Sequence, residues 1–299
     1  MMHAFALITH NTTLFFSLLF ILGLVVGSFL NVVIHRLPEM LKSQWSKDCK
    51  LFLAENGDLQ LPQDTPTEPS YNLVVPRSRC PHCGHQIAAW ENIPVISYLL
   101  LRGKCSQCTA AISIRYPVVE ILSAVIAAIV AWQFGVSWQT AAAIVLSWAL
   151  ICLSFIDYDH QYLPDNITLP FLWLGLLVNL NGLFTDIESA LIGTMAGYLI
   201  LWSIYKLFKL VTGKEGMGYG DFKLLAMAGA WLGWQMLPAI ILISSVVGAL
   251  FGIAIIVFKQ HDKAKPIPFG PYLAIASWIA LLWGDKLNQA YLDWIYKTI

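Results

Sequence analysis

The chain has 299 residues, of which 58% are hydrophobic and only 12% are charged, and its mean hydropathy is +0.65. Soluble globular domains carry about a quarter charged residues, so this composition excludes an ordinary soluble domain and favours a membrane protein. The formal net charge is zero, which leaves no overall field to attract nucleic acid.

Apolar segments of membrane-spanning length recur along the whole chain. A spanning helix needs roughly 20 mostly apolar residues, and eight segments approach that length. The predicted spans are 13–34, 118–134, 138–156, 167–184, 189–210, 221–235, 236–258 and 270–284. The first residues lack the basic stretch of a signal peptide, so we expect the first helix to be retained. The pattern predicts an all-α polytopic membrane protein with about eight transmembrane helices.

The basic residues predict the orientation of these spans. With eight spans both termini lie on one side, and sixteen of the eighteen Lys and Arg residues fall in or beside loops on the opposite side. Only Lys286 and Lys297 remain on the side of the termini. Because basic loops stay in the cytoplasm, we expect periplasmic termini and a large cytoplasmic first loop.

That first loop, roughly residues 36–115, is the only connection long enough to fold by itself. Its middle, 55–72, is polar and rich in turn formers, which predicts an exposed hairpin or a loose excursion. The other connections are short, so the helices they join should be antiparallel neighbours.

Four cysteines in the second half of the loop form two CxxC pairs, Cys80 with Cys83 and Cys105 with Cys108. Two such turns separated by 21 residues are typical of a four-cysteine zinc ribbon. Four thiolates leave no open coordination position, so the expected Zn²⁺ is structural. Two disulfides are the alternative, which a reducing cytoplasm disfavours.

The nearby histidines and the remaining cysteines are weaker candidates for metal ligands. We expect His82 and His85, which lie between the two pairs, to be surface residues. Cys49 is isolated, and Cys152 lies within a span, where it is expected to pack as a small core residue.

Two carboxylates are predicted to lie at one face of the membrane. Asp157, in FIDYDHQYLPD, is placed at the cytoplasmic end of the third span, and Asp221, in GMGYGD, at that of the sixth. Two close carboxylates can share a proton and work as the base and acid of an aspartic protease. Asp221 as a helix cap alone is the plainer alternative. Spacing does not decide between Asp157 and Asp159.

Several further features bear on the function. Asp165 is expected to be the N-cap of the fourth span. The segments 193–197 and 229–233, GTMAG and GAWLG, have the small-residue spacing of close helix packing. Ionisable residues lie at the ends of the spans and not near a bilayer midplane, which argues against a transporter.

The motifs together resemble those of the type IV prepilin peptidases. They are GSFLNVVIHRLP, the paired CxxC turns, IDYDHQYLPD, GKEGMGYGDFKLLAMAGAW and PIPFGPYLAIA, and they extend from the first span to the last. These enzymes are bifunctional leader peptidase/N-methyltransferases of type IV pilus and type II secretion systems. The resemblance implies an aspartic membrane protease with Asp157 and Asp221 as its catalytic pair.

The resemblance also implies a sequence of reactions and partners. The basic leader of prepilins and pseudopilins is cut at the cytoplasmic face of the inner membrane, after which S-adenosylmethionine methylates the new N-terminus. The implied domains are a first helix over 1–35, a zinc-binding domain associated with methyl transfer over 36–117 and a seven-helix peptidase domain over 118–299. The alternatives are a peptidase without methyltransferase activity, and a non-enzymatic scaffold or transporter with a zinc-stabilised loop.

The methyl-donor site is not visible as a motif, because no dinucleotide-type glycine fingerprint follows a strand pattern. Within the cytoplasmic domain Glu91, Arg102 and Glu120 are polar candidates, and Gly103 would allow close backbone approach. Supporting the zinc domain alone is an equally open role for these residues. For the leader, we expect Asp159, Asp165 and Glu215 to attract its basic side chains.

Overall fold

The computed structural model describes residues 11–56, 71–259 and 268–298. Across these ranges the chain is α-helical, with two isolated antiparallel bridges and no strand. The helices are α1 Thr12–Glu55, α2 Ile96–Leu100, α3 Arg115–Phe134, α4 Trp138–His160, α5 Asp165–Asn179, α6 Ile187–Thr212, α7 Tyr219–Leu232, α8 Leu237–Lys259 and α9 Gly270–Thr298. Short 3₁₀ turns cover Ala89–Asn92 and Trp234–Met236.

Each of the eight predicted spans corresponds to one helix of the structure. Within the described ranges, five helices are long and apolar enough to cross a membrane: α1, α3, α4, α6 and the segment Trp234–Ala254 that includes most of α8. The helices α5 and α7 have only 15 and 14 residues. At about 1.5 Å per residue they are shorter than the roughly 30 Å of a hydrocarbon core. The all-α membrane architecture is confirmed.

The first helix is longer than we expected from hydropathy. The predicted span ends at residue 34, but α1 continues without a break through Pro38 to Glu55. The added segment is rich in Leu and Lys and also contains Glu, all of which favour helix in water, and Glu39 pairs with Lys42 at 3.2 Å. Residues 36–55 of the expected loop are therefore helical. Of the predicted hairpin at 55–72, residues 57–70 lie outside the described residues.

The chain divides into two compact units between Ala128 and Ile129. In the first unit α1 packs directly against α3 through glycines. A Cβ on Gly27 would lie 2.6 Å from Cα of Glu120, so no side chain fits there. The Asn31 side-chain amide also donates to the Tyr116 carbonyl at 3.0 Å. The two helix backbones are thus held in close contact.

In the second unit α7 forms the centre of the helix packing. Its residues from Asp221 to Leu232 are buried apart from Lys223, as expected of a helix that is apolar all round. The predicted small-residue contact is confirmed, since a Cβ on Gly193 of α6 would lie 2.6 Å from the Gly229 carbonyl oxygen.

The far end of α7 is held by a buried polar side chain. The Asn179 amide donates at 2.9 Å to the carbonyls of both Ala230 and Trp231. These carbonyls lack partners within their own helix, so Asn179 satisfies them. The opposite end of α7, which carries Asp221, is positioned by this rigid packing.

Candidate active site and metal centre

Asp157 and Asp221 lie together in the second unit, as the sequence predicted. Asp157 is in the last turn of α4 and Asp221 in the first turn of α7. The two residues are only 5% and 7% exposed, and the charge of Asp157 acts on Asp221. Buried carboxylates without a cationic partner are rare in folded proteins, so their pairing indicates a chemical role.

A third helix end completes this arrangement. Gly270, the first residue of α9, donates its backbone N–H to Oδ2 of Asp157 at 3.0 Å. This N–H belongs to the first turn of a helix, where it has no partner within the helix and where the helix dipole favours negative charge. A Cβ on Gly270 would lie 2.6 Å from the same oxygen, so only glycine fits.

Gly270 was not among the site residues predicted from the sequence. The segment PFGP directly before an apolar helix was the available signal, but a backbone donor has no residue signature of its own. Leu163 lies beside both this glycine and Gly220. A Cβ on Gly270 would be 3.3 Å from Cδ2 of Leu163, and a Cβ on Gly220 would be 2.8 Å from its Cβ. Leu163 therefore packs the three helix ends together.

Asp221 is not the N-cap residue of α7. The helix begins at Tyr219, its N-cap is Gly218, and no side chain caps it. The burial of Asp221 beside Asp157 therefore favours the pair over a cap-only role. Asp159 is exposed, whereas Asp157 is buried beside Asp221, so the geometry favours Asp157 as the partner.

The prediction that Asp165 is an N-cap is also wrong. The helix α5 begins at Asp165 itself, and its N-cap is Pro164, which makes no side-chain cap bond. The carboxylate instead binds Nζ of Lys223 through both oxygens, each at 2.7 Å. The Asp165 side chain therefore pairs with Lys223 of α7 and does not cap its own helix.

The acidic residues expected to attract a basic leader are partly neutralised by lysines. Asp165 binds Lys223, and Glu215 binds Lys209 at 2.6 Å. The Lys209 ammonium, ahead of the Tyr205 hydroxyl, lowers the pKa of Glu215. Leader attraction by these residues stays a prediction.

The four cysteines of the first unit form one compact cluster. All four sulfurs lie within 4.8 Å of one another, with Cys80 to Cys108 at 3.7 Å and Cys83 to Cys105 at 4.0 Å. A tetrahedral Zn²⁺ with Zn–S bonds of about 2.3 Å requires sulfurs about 3.8 Å apart. All the cysteines are free thiols in this structure, so the donor set fits a metal and not two disulfides.

The two CxxC turns repeat one backbone design at a distance of 25 residues. Cys80 N–H donates to the His85 carbonyl, and Cys105 N–H donates to the Ala110 carbonyl, at 2.8 and 2.9 Å. Isolated bridges at Arg79–Gln86 and Lys104–Ala111 close both turns. Such turns aim backbone N–H groups at the sulfurs. The backbone N–H groups of Cys83 and His82 lower the pKa of Cys80 to about 6, which favours the thiolate that a metal needs.

The histidines lie outside the cluster. His82 is exposed, and Nε2 of the half-buried His85 is 3.1 Å from Oε2 of Glu91. Glu91 also accepts from Ala88 N–H at 2.7 Å. The pKa of Glu91 is lowered by the Ser106 hydroxyl first and by Ala88 N–H second. Because Ser106 belongs to the second CxxC turn and His85 to the first, Glu91 links the two turns.

A cavity of about 430 Å³ lies in the first unit between α1, the cysteine segment and α3. Of the four candidate residues for methyl transfer, Glu91 and Glu120 line it, whereas Arg102 and Gly103 do not. Arg36 and Tyr98 line it as well, and sequence reasoning did not single out either residue.

Comparisons with known proteins place this architecture in a family. The model of the bacterial peptidase A24 N-terminal domain matches residues 21–134, and that of the type IV leader peptidase family matches 144–253. No solved structure matches the chain.

Curated relatives match over nearly their full length. A protein from Stutzerimonas stutzeri is 59% identical over 91% of this chain and 92% of its own. One from Aeromonas hydrophila is 57% identical and one from Neisseria gonorrhoeae 47% identical, each over 93% of this chain and 94% of its own. All three are named prepilin leader peptidase/N-methyltransferase. The resemblance found in the motifs is confirmed, and the chain belongs to the type IV leader peptidase family.

Proposed function

We propose that Asp157 and Asp221 are the catalytic pair of an aspartic endopeptidase that removes the basic leader of type IV prepilins and pseudopilins. The observation that carries this assignment is the burial of both carboxylates at one point, where the ends of α4, α7 and α9 meet. The relatives' shared name includes both leader peptidase and N-methyltransferase, and their identity and coverage support both activities in this chain.

The pair is suited to hydrolysis of a peptide bond without a covalent intermediate. One carboxylate takes a proton from water, which adds to the scissile carbonyl, while the other gives a proton to the carbonyl oxygen. Collapse of the tetrahedral intermediate breaks the C–N bond, and a proton passes to the leaving amine. The bond from Gly270 N–H holds Oδ2 of Asp157 in place and supports negative charge there.

The substrate meets this pair as an extended segment. Helical peptide bonds are hidden in their own hydrogen bonds, so the cleaved stretch must unwind where its backbone can reach water. The charge asymmetry of the loops supports a cytoplasmic position for the site, periplasmic termini and an inner-membrane location. Pilus or type II secretion assembly machinery would receive the processed product.

The cysteine cluster is proposed to hold a structural Zn²⁺. Cys80, Cys83, Cys105 and Cys108 would fill all four positions, which leaves none for water or substrate. The segment 71–114 has a single buried residue, Ser97, so it lacks a hydrophobic core of its own. Metal binding would supply that missing folding free energy.

The test is cleavage of a purified prepilin by the full-length enzyme in proteoliposomes. Asp157→Asn and Asp221→Asn should each reduce cleavage about a thousandfold or more, because neither amide can exchange protons in these roles. Asp159→Asn, an exposed change in the same helix, is the matched control and should keep the wild-type kcat, with any loss of leader attraction confined to KM. Methylation of a pre-cleaved substrate should survive in all three variants.

Each contrary result has a distinct meaning. Loss of cleavage in Asp159→Asn alone would move the first carboxylate to that position. Normal cleavage by both Asp157→Asn and Asp221→Asn would reject the protease assignment in favour of a scaffold. Cleavage without any methylation by the wild type would leave a peptidase only.

A further inference from the structure

The cavity of the first unit has the properties of a small-molecule site. Its volume of about 430 Å³ is in the usual range for such pockets, roughly 300–1,000 Å³. We propose that this cavity binds S-adenosylmethionine and presents its methyl group to the new N-terminus. The proposal rests on the methyltransferase half of the proposed function and assigns it a place and residues.

The walls of the cavity carry buried charges of both signs. Arg36 and Glu120 are 8% and 7% exposed, and the side chain of Glu91 is 6% exposed. Removing charges from water is unfavourable unless they are paired or bind a ligand. Glu91 pairs with His85 at 3.1 Å, whereas within the described residues no ion pair joins Arg36 to either acid. Arg36 and Glu120 therefore bring charges to the cavity wall without an ion-pair partner among these residues.

Backbone groups hold these three side chains in place. Nη1 of Arg36 donates to the Asn72 carbonyl at 2.9 Å, and Oε2 of Glu120 accepts from Val95 N–H at 2.7 Å. Oε2 of Glu91 accepts from Ala88 N–H at 2.7 Å in the same way. The guanidinium has five N–H donors and each carboxylate two oxygens, so all three can bind a ligand as well. The site is preorganised.

The charge pattern matches the methyl donor. S-adenosylmethionine carries a sulfonium and an ammonium, which the two carboxylates can attract, and one carboxylate, which Arg36 can bind through two donors. Tyr98 and Ile87 line the same cavity and offer apolar surface for the adenine ring. A nucleoside triphosphate would bring several negative charges against the two buried acids, so the geometry favours the sulfonium compound.

Methyl transfer requires a neutral amine on the substrate. The ammonium of the substrate first loses a proton, which passes to water at the exposed residues Arg77 and Arg79 that also line the cavity. The neutral amine then forms a bond to the methyl carbon as the carbon–sulfur bond breaks, and the electron pair stays on sulfur in the thioether product. Holding both reactants in line is the contribution of the cavity.

The test measures binding directly, by isothermal titration of S-adenosylmethionine into the full-length protein in detergent. Arg36→Gln and Glu120→Gln keep an amide that can replace the backbone hydrogen bonds, so they remove charge with little structural loss. Each should weaken binding about tenfold or more, since a charge-assisted bond is lost. Glu39→Gln, an exposed change on α1 outside the cavity, is the matched control and should bind as the wild type does.

Further measurements separate this inference from the proposed function. Asp221→Asn should bind S-adenosylmethionine normally, because the peptidase pair is not involved. If the wild type cleaves and methylates but both cavity variants bind the donor normally, the site is elsewhere and the proposed function stands. If the wild type cleaves but neither binds nor methylates, the methyltransferase half of the proposed function fails.

A crosslinking experiment on the wild type removes any concern about misfolded variants. A photoreactive adenine analogue of S-adenosylmethionine should label peptides from the cavity walls, and excess S-adenosylmethionine should abolish the labelling while ATP should not. Labelling confined to the second unit, or displacement by ATP alone, would overturn the proposal.

Discussion

Lys223 is the charged side chain closest in sequence to Asp221, two residues away in the same first part of α7. Both oxygens of Asp165 bind its ammonium at 2.7 Å, which connects α7 to the start of α5. The pair is half-exposed, with 29% of the lysine and 49% of the aspartate side chain accessible. Such pairs contribute about 0–1 kcal/mol to stability, so positioning of Asp221 is the more informative property to test.

Lys223→Gln should therefore impair catalysis more than folding. We expect a fall in kcat of about tenfold to a hundredfold with little change in KM, because small displacements of catalytic groups are expensive in rate. The free energy of unfolding should change by less than about 1 kcal/mol. Steady-state cleavage of a prepilin and thermal unfolding in detergent measure the two quantities.

A double-mutant cycle shows whether loss of the Lys223–Asp165 ion pair causes the fall in kcat. If the ion pair acts as a unit, Asp165→Asn combined with Lys223→Gln should be no slower than either single variant. A rise in KM for Asp165→Asn with an unchanged kcat would instead support leader attraction by that carboxylate. Lys214→Gln, an exposed lysine in the preceding loop, is the control.

The helices α6 and α7 of the second unit pack closely because a glycine of each faces the other. Gly193 and Gly229 touch backbone to backbone, and Gly197 lies against the Leu225 carbonyl, where a Cβ would be 2.7 Å away. Neither backbone can give way as a flexible side chain could. The position of α7, which carries Asp221, is therefore fixed by direct backbone contact with the glycines of α6.

Gly193→Ala should destabilise this helix pair by about 1–3 kcal/mol, the usual result of overpacking a tight core. Cleavage should fall with it, because α7 must shift away from α6. Gly248→Ala on α8 is a graded control, since its Cβ would meet only the Tyr272 ring at 3.2 Å. Thermal unfolding and cleavage rates of both variants provide the comparison. Equal Tm values for the two would contradict the packing argument.

For the molecule as a whole, the features that depend on local composition were predictable. A bilayer demands a minimum length of apolar chain, so eight apolar segments were found near the helices that contain them, although α5 and α7 are shorter than that minimum. The CxxC spacing likewise brings four sulfurs together, because each turn is a local structure. Asp157 and Asp221 were predicted to lie at one face by counting spans, and the structure buries both of them, with Asp157 bonded to the first residue of α9.

The features that depend on distant segments were not predictable. Hydropathy does not distinguish a loop from a water-exposed continuation of a helix, so the end of α1 at Glu55 was missed. The donor from Gly270 is a backbone group whose role depends on where α9 begins. The cavity draws its charges from α1, the segment after Ala88 and α3, and no single motif contains them.

The two compact units predict a divided response to metal removal. Within 71–114 only Ser97 is buried, so the cysteine segment has little besides the proposed metal to hold it, whereas α4 to α9 share an apolar core. A structural zinc site contributes about 10–16 kcal/mol of apparent binding free energy at neutral pH. Chelation should therefore abolish amide protection around Cys80 and Cys105 while the helices of the second unit stay protected.

Hydrogen exchange with mass spectrometry, together with measured zinc content, tests this division. Cys80→Ser should lose the metal and reproduce the effect of the chelator, while Cys49→Ser, at an exposed cysteine outside the cluster, should keep one zinc per chain. Binding of S-adenosylmethionine should fall with the metal, because Glu91 of the cavity is held by both CxxC turns. Unchanged protection of 78–112 after complete metal removal would show that the segment folds without zinc.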